Sequence, residues 1–256
     1  MLIAHLSDLH VCARAPLSAT NAHTVEAIAS VLRLSPQPDV VVVTGDIGEG
    51  SPDDYALLAR YLSSLRMPIY MVPGNHDDRE AMRAAFLDHG YLPASGPLNF
   101  VVETRPVRLI GLDSLIPGRV EGALDDETLD FLKEALEAAA SVPTFILVHH
   151  TPLRCGLEEK DSIRLFRGSE RLFEILSRHR QVARVLSGHH HRALLGQFGN
   201  AVCQVAPPVR YQEACGFGAG RAEAEVELPG FLLHRWIEGA GVATQHCPLK
   251  IGLPTA

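Results

Sequence analysis

Cysteine is scarce and scattered in this sequence. Its five cysteines are odd in number, and no two of them have the C-x-x-C spacing of a zinc ribbon or a redox motif. They are Cys12, Cys155, Cys203, Cys215 and Cys247. We therefore expect reduced thiols.

Long hydrophobic runs are also missing. No apolar stretch approaches the roughly 18 residues that a membrane-spanning helix needs. The first ten residues, MLIAHLSDLH, lack the basic start and the long apolar segment of a signal peptide. The sequence therefore predicts a cytoplasmic protein that has no membrane partner.

Basic clusters are the third absence. The formal net charge is -7, and no run of lysine and arginine offers a surface for a phosphate polymer. A nucleic-acid polymer is therefore not an expected partner. With 256 residues, 46% of them hydrophobic, the sequence predicts a globular protein of one large domain or two small ones, and it contains no internal repeat.

Short apolar runs alternate with helical segments along most of the chain. This alternation predicts a layered α/β architecture whose strands are buried on both faces. Two helices have clear start signals, one with Ser51 as N-cap before Pro52 and one beginning at Asp125. The strand candidates are 2–6, 40–44, 69–72, 107–112, 145–149 and 182–187.

The pattern changes after residue 194. Short strand-like pieces follow at 195–198, 201–205 and 231–236. The stretch 207–230, which contains glycine and proline, separates them and predicts an irregular loop rather than a second domain. We expect this loop either to form a substrate wall or cap, or to be an ordinary surface loop.

Residues that bind metals follow five of the strand candidates directly. In open α/β sheets, ligands collect beyond the carboxyl ends of the strands, so this placement predicts a shared site. Side chains two apart in an extended segment point the same way, so His189 and His191 can face one site while His190 faces elsewhere. The candidates are Asp8 and His10, then Asp46, then Asn75, His76 and Asp77, then His149 and His150, and last the three histidines 189–191.

Taken singly, each of these short motifs is more often structural than functional. Together and in this order they match the D-x-H, G-D, G-N-H-D, H and G-H-x-H signature, and the chain resembles the calcineurin-like metallophosphoesterases from residue 1 to about residue 200. Within them it is similar to the class III cyclic-nucleotide phosphodiesterases and bacterial glycerophosphodiesterases, on AHLSDLH, PDVVVVTGDI and PGNHDD. The resemblance implies a single metallophosphoesterase domain over residues 1–256, built as a four-layer α/β/β/α sandwich with two central mixed sheets. One departure is Thr151, where the family often has proline.

The resemblance also implies a two-metal centre, in which Asp46 bridges the ions. Oxygen and imidazole donors without thiolate suit divalent or trivalent manganese, iron, zinc or cobalt. The implied ligands are Asp8, His10 and His191 for one ion and Asn75, His149 and His189 for the other.

The implied reaction is the hydrolysis of a small soluble phosphodiester, either a 3′,5′-cyclic nucleotide or a glycerophosphodiester. In this mechanism a metal-bound hydroxide attacks phosphorus. His76 is expected near the leaving group, and Asp77 is expected to hold a ligand or the loop in place. Two alternatives remain open, a phosphomonoesterase with the same centre and a non-catalytic scaffold that binds a protein. A homodimer or a higher homo-oligomer is expected from the family alone.

Overall fold

The computed structural model describes residues 1–210 and 228–250. The helices are α1 (Ala19–Leu32), α2 (Pro52–Leu62), α3 (Arg79–Phe86), α4 (Asp126–Ala138), α5 (Glu158–Ile163) and α6 (Ser169–Arg178). The strands are β1 (Leu2–Leu6), β2 (Val40–Thr44), β3 (Ile69–Val72), β4 (Phe100–Glu103), β5 (Arg108–Leu112), β6 (Gly122–Ala123), β7 (Thr144–Val148), β8 (Leu165–Arg167), β9 (Val182–Ser187), β10 (Leu194–Phe198), β11 (Ala201–Val205), β12 (Gly230–Ile237) and β13 (Gly241–Pro248).

Two mixed sheets dominate the described structure. The first has the strand order β13-β12-β1-β2-β3, and the second has the order β10-β11-β9-β7-β5-β4. Strands β1, β2 and β3 run parallel, as do β5, β7, β9 and β11, whereas the outer strands β12, β13, β10 and β4 pair antiparallel. A separate parallel pair joins β6 and β8.

The two sheets pack face to face between two layers of helices. One core combines residues of β1, β2 and β3 and of helices α1, α2 and α3 with Phe145 and Leu147 of the second sheet. The other combines β5, β7, β9 and β11 with α4 and α6. The order is therefore helices, sheet, sheet, helices, and the predicted four-layer sandwich is confirmed.

Helix α2 begins where the sequence predicts. The Ser51 side chain accepts a hydrogen bond from the backbone N–H of Asp54, and the Asp54 carboxylate accepts one from the backbone N–H of Ser51. Pro52 occupies the first turn, where its missing N–H costs nothing. Helix α4 likewise begins after Asp125, whose side chain accepts from the backbone N–H of Thr128.

The predicted burial on both faces holds for the inner strands only. Every residue of β2, β5 and β7 is buried, but β10 and β13 at the sheet edges are largely exposed. An exposed edge strand needs no continuous apolar run, which is why the sequence pattern missed β13. Two of the predicted strands begin one residue away from the observed start, since β5 begins at Arg108 and β7 at Thr144.

The predicted loop at 207–230 lies mostly outside the described residues, which omit 211–227. Where the chain is described on either side, the backbone N–H of Gly230 donates to the carbonyl of Pro208 at 3.1 Å. None of the described helices combines the length and apolar character that crossing a bilayer requires.

Candidate metal centre

Five strands deliver the candidate ligands to one place. Each ligand, or the first of a pair, lies within three residues of a strand's carboxyl end. Backbone hydrogen bonds fix these ends relative to one another: the N–H of Asp8 donates to the carbonyl of Gly45 at 3.1 Å, and that of His10 to the carbonyl of Asp46 at 2.8 Å. The ligands are Asp8 after β1, Asp46 after β2, Asn75 after β3, His149 after β7 and His189 after β9.

Four of the seven candidate ligands form a first donor set. Asp8, His10, Asp46 and His191 each offer a ligand atom, and these atoms lie within 4.8 Å of one another. Nε2 of His191 lies 3.2 Å from Nε2 of His10 and 3.3 Å from Oδ1 of Asp8. All four are buried except His191, whose side chain is 20% exposed.

A second donor set converges on Nε2 of His149. This atom lies 3.2 Å from Oδ1 of Asn75, 3.2 Å from Nδ1 of His189 and 3.4 Å from Oδ1 of Asp46. His149 is completely buried, and His189 is nearly so. The side chains that the sequence assigns to the second ion therefore lie together.

Asp46 lies between the two donor sets. Its Oδ1 faces His149, and its Oδ2 lies 3.6 Å from Nε2 of His10. The backbone N–H of His76 also donates to Oδ1 at 2.9 Å, which helps to hold the carboxylate in this orientation. One carboxylate oxygen toward each set is the arrangement that a bridging ligand requires.

The donor chemistry fits metal ions in both sets. Three of the histidines bind an oxygen acceptor with the ring nitrogen that faces outward, which fixes the tautomer and leaves the inner nitrogen as a lone-pair donor. The inner nitrogens of His149 and His189 lie 3.2 Å apart, so they repel each other unless a cation or a proton lies between them. The outer acceptors are Glu49 for His10 at 2.9 Å, the Thr44 carbonyl for His149 at 2.7 Å and the Ile163 carbonyl for His189 at 3.0 Å.

The backbone is strained at the same positions. A left-handed conformation costs a non-glycine residue about 1–2 kcal/mol because Cβ approaches the following carbonyl oxygen. Such strain persists only where the surrounding structure enforces it, and it is concentrated at functional sites. Five of the seven candidate ligands have φ between +46° and +71°: Asp8, His10, Asp46, His189 and His191.

Gly188 stands where no other residue fits. A Cβ at this position would lie 1.8 Å from Oγ of Ser7 and 2.6 Å from Oδ2 of Asp8. The glycine therefore lets the turn that carries His189 approach the end of β1 directly. This close approach allows the backbone N–H of His189 to donate to the Asp8 carboxylate, at 3.1 and 3.2 Å from its two oxygens.

Without a metal ion, the carboxylates and the His149 imidazole stabilise each other's charge, and a bound cation would take the place of the proton on Nε2 of His149. Burial alone would raise the pKa of Asp46, but His149 and His10 hold it well below its usual range. Burial alone would lower the pKa of His149, but the nearby carboxylates of Asp46 and Asp8 raise it to about 9. The Asp46 carboxylate is therefore ionised near neutral pH, as a bridging ligand must be.

His76 lies at the exposed rim beside the first donor set. Its side chain is 45% exposed, and its Nδ1 lies 3.0 Å from Oε2 of Glu49. The other oxygen of Glu49 binds His10. Hydrogen bonds from His10 and His76 lower the pKa of Glu49 to about 2, and the bond to Glu49 raises the pKa of His76. Glu49 therefore connects a candidate ligand to the candidate leaving-group histidine.

His150 is a buried neighbour of the second set and not a good ligand. It lies near His149 and His189, but both of its ring nitrogens have other partners. Nδ1 lies 2.8 Å from Oγ of Ser114, and Nε2 lies 3.0 Å from the carbonyl of Val120. Burial, and then the charge of His149, lower its pKa to about 3. His150 is therefore a neutral side chain that packs against the rings of His149 and His189.

Asp77 faces the loops behind the site. Its carboxylate accepts hydrogen bonds from the backbone N–H groups of Ile47, Gly48 and Gly74 and from the hydroxyl of Tyr55, at 2.8 to 3.1 Å. Burial and the charge of Asp46 raise its pKa to about 6, against the N–H groups, which lower it. This geometry matches the expectation that Asp77 holds the loop in place.

We expect Asp77→Ala to destabilise the metal-free protein by at least about 3 kcal/mol, because a buried donor without an acceptor costs about 1–3 kcal/mol. Urea unfolding measures this loss. Asp78→Ala is the matched control, since it removes only the N-cap of α3 and should cost about 1 kcal/mol. Equal losses in the two variants would contradict the role given to Asp77.

Comparison with known proteins agrees with this geometry. The model of the calcineurin-like phosphoesterase family matches residues 1–193. The chain belongs to the calcineurin-like phosphoesterase family. This membership confirms the family that the motifs predicted and the class of enzyme, a phosphoesterase.

Two curated relatives resemble nearly the whole chain. A glycerophosphodiester phosphodiesterase of Enterobacter lignolyticus is 30% identical over 257 residues, which cover 96% of this chain and 91% of the relative. A 3′,5′-cyclic adenosine monophosphate phosphodiesterase of Pseudomonas aeruginosa is 33% identical over 244 residues, which cover 93% of this chain and 85% of the relative. Both relatives are named as phosphodiesterases, in agreement with the phosphodiesterase predicted from the sequence.

A solved structure shares the fold. The dimetal phosphatase of Danio rerio superposes with a TM-score of 0.69 at 12% identity, covering 98% of this chain and 99% of that one. At this identity the likeness supports the fold alone.

Proposed function

We propose that this phosphoesterase hydrolyses small phosphodiesters at a two-metal centre. The observation that carries the proposal is the position of Asp46, with one oxygen toward each donor set. The first set would be completed by Asp8, His10 and His191. The second would be completed by Asn75, His149 and His189.

The residues themselves provide binding, orientation and proton transfer. Two bound divalent ions, with manganese, iron, zinc or cobalt as candidates, would polarise the phosphoryl oxygen and make hydroxide available near neutral pH. Asp46 would hold the two sites at a fixed separation, and its negative charge would reduce the repulsion between them. The second-set histidines are buried, which limits competing water on that side of the substrate.

His76 supplies the proton for the leaving group in this proposal. Glu49 holds its Nδ1, so Nε2 is the nitrogen that can face a substrate. The bond to Glu49 favours the imidazolium form, which can donate a proton to a departing alkoxide. The half-exposed position of His76 lets a leaving group reach it.

The charges at the rim favour a diester over a monoester. Glu49 is ionised and 39% exposed beside His76, so it repels a dianionic monoester more strongly than a singly charged diester. Arg79, which follows the G-N-H-D motif, is already bound to the buried carboxylate of Asp113 at 2.6 and 2.9 Å. The candidate substrates are 3′,5′-cyclic nucleotides and glycerophosphodiesters, the classes of diester named for the two relatives.

We expect bis(p-nitrophenyl) phosphate to be hydrolysed with a higher kcat/KM than p-nitrophenyl phosphate, because the two share a leaving group and differ in charge. Steady-state assays with the Mn²⁺-loaded protein measure both values. The same order should hold for 3′,5′-cyclic AMP against 5′-AMP and for glycerophosphoethanolamine against glycerol phosphate. A preference for the monoesters would contradict the proposed diesterase activity and favour the alternative function, a phosphomonoesterase.

Several other expectations stay predictions. A non-catalytic scaffold would be expected to lose candidate ligands, and this chain keeps all seven together with His76. The cytoplasmic location is supported by the free thiols of the four cysteines in the described ranges. A homodimer, the absence of a nucleic-acid polymer as partner and a substrate wall at 207–230 are further predictions.

A further inference from the structure

A row of polar side chains crosses the inner face of the first sheet. Register pairs His234 with Ile3 and with Thr244, and it pairs His5 with Val42, two residues before Thr44. Because side chains two apart in a strand share a face, these polar side chains lie on one face of four adjacent strands. The polar row consists of Thr244 on β13, His234 on β12, His5 on β1, Ser7 directly after β1, and Thr44 on β2.

Hydrogen bonds join the row from end to end. Oγ1 of Thr244 lies 2.9 Å from Nδ1 of His234, and Nε2 of His234 lies 3.2 Å from Nδ1 of His5. Nε2 of His5 lies 2.9 Å from Oγ1 of Thr44. The Thr44 hydroxyl donates to Oγ of Ser7 at 2.8 Å, and Ser7 donates to the Thr44 carbonyl at 3.1 Å.

The hydrogen bonds from Thr244 to Ser7 all have the same direction, so that each group donates to the next one in the row. Burial lowers the pKa of His5 to about 3 and that of His234 below its usual range, so each ring is neutral and carries one N–H. Because the Thr44 hydroxyl donates to Ser7, it accepts from Nε2–H of His5. Nδ1 of His5 therefore accepts from His234, whose Nδ1 accepts from the Thr244 hydroxyl.

Burying the polar row in this apolar layer costs free energy, because its polar groups are removed from water. Four of its members are completely buried, and the ring of His234 lies against Phe145 of the second sheet, with centroids 6.5 Å apart. Apolar side chains would fill this layer between the sheets without the cost of removing polar groups from water. A fully bonded polar network in an apolar core fixes one arrangement of the groups that it joins.

The end of the row meets the second donor set. The Thr44 carbonyl accepts both the Ser7 hydroxyl and Nδ1–H of His149, the latter at 2.7 Å. Ser7 precedes the candidate ligand Asp8, and Thr44 lies two residues before Asp46. The hydrogen bonds between Ser7 and Thr44 therefore join the ends of β1 and β2 next to the Thr44 carbonyl oxygen, the atom that orients His149.

We propose that the polar row is a positioning network for His149, with His5 as its central residue, and that it tunes the affinity of the second metal site. The proposal rests on the proposed function, since it presupposes two metal ions. His5 contacts neither donor set itself. It acts through Thr44, whose carbonyl selects the tautomer and ring orientation of His149.

Stepwise Mn²⁺ binding to the metal-free protein tests the network. Calorimetry resolves the two dissociation constants, and Asn75→Ala identifies the step that belongs to the second set. We expect His5→Leu to weaken that step by about 10-fold or more and to leave the other unchanged, because outer partners of metal ligands typically contribute 10–100-fold. His5→Gln, which can still donate and accept, should recover most of the affinity.

Tyr91→Phe is the matched control. It removes a buried hydrogen bond from the same sheet, where the Tyr91 hydroxyl accepts from the backbone N–H of Met71, away from the row. It should change the unfolding midpoint and neither binding step. If His5→Leu does not fold, Thr44→Val breaks the row at the next bond while keeping the carbonyl, and the same result is expected.

The outcomes separate the two claims. Two unchanged constants in His5→Leu, or an equal loss in both steps, would overturn the network and leave the two-metal centre intact. A loss confined to the step that Asn75→Ala does not change would also overturn it. A wild-type protein that binds fewer than two Mn²⁺ ions would instead contradict the proposed function.

Discussion

Asp46→Ala should bind neither metal ion tightly and should have no measurable diesterase activity. Asp46 is the one candidate ligand with an oxygen toward each donor set, so its loss removes a donor from both. It also removes the negative charge that would reduce the repulsion between two bound cations, which lie about 3.5–4 Å apart in two-metal sites. Metal analysis after gel filtration, together with bis(p-nitrophenyl) phosphate assays, measures both effects.

Asn75→Ala is the control for this effect. Asn75 contacts the second set alone, through Nε2 of His149, so this variant should keep about one equivalent of metal. If Asp46→Ala retained two equivalents and near-normal rates, the bridging role would be wrong. If it lost one ion only, Asp46 would belong to a single site.

His76→Ala should keep its metal and lose rate by about 10²–10⁴-fold, the usual contribution of a general acid. The loss should be larger for a glycerophosphodiester, whose alkoxide needs a proton to depart, than for a nitrophenyl diester, whose leaving group does not. Metal content and kcat for the two substrates are the measurements. Equal losses would mean that His76 positions the substrate and does not donate the proton.

His89→Ala is the matched control for His76→Ala. His89 lies in the short turn after α3 and is exposed, so its loss should change neither metal content nor rate. Loss of metal in His76→Ala would assign His76 to a donor set.

The candidate ligands could be predicted because each is a local feature. Asp8, Asp46, Asn75, His149 and His189 each follow an apolar run that the pattern alone identifies as a strand. The carboxyl ends of parallel strands in one sheet share an edge, so strand position predicts proximity within each sheet. The meeting of the two sheets' edges at one site was predicted from the family resemblance and not from strand position.

Glu49 was missed because its role depends on a distant residue. It lies three residues after the ligand Asp46, in GDIGEG, where an acidic residue is as expected on a solvated loop as in a site. Its contact with His76 spans 27 positions. The one sequence signal that could have indicated Glu49 is its position three residues after a candidate ligand.

The polar row was missed for the same reason on a larger scale. His5 and His234 are 229 positions apart and meet only because β12 returns to pair with β1. His5 lies within the apolar run of β1 and is completely buried. No local pattern indicates that its ring nitrogens bind a partner from the far end of the chain.

The central claim is that phosphodiester hydrolysis depends on two metal ions held by the two donor sets. Its most direct test is to titrate metal-free protein with Mn²⁺ while bis(p-nitrophenyl) phosphate hydrolysis is followed. We predict no activity without metal and a rate that rises to its maximum only as the second equivalent binds. Full activity in protein verified to be metal-free, or a maximum reached at one equivalent, would contradict the account.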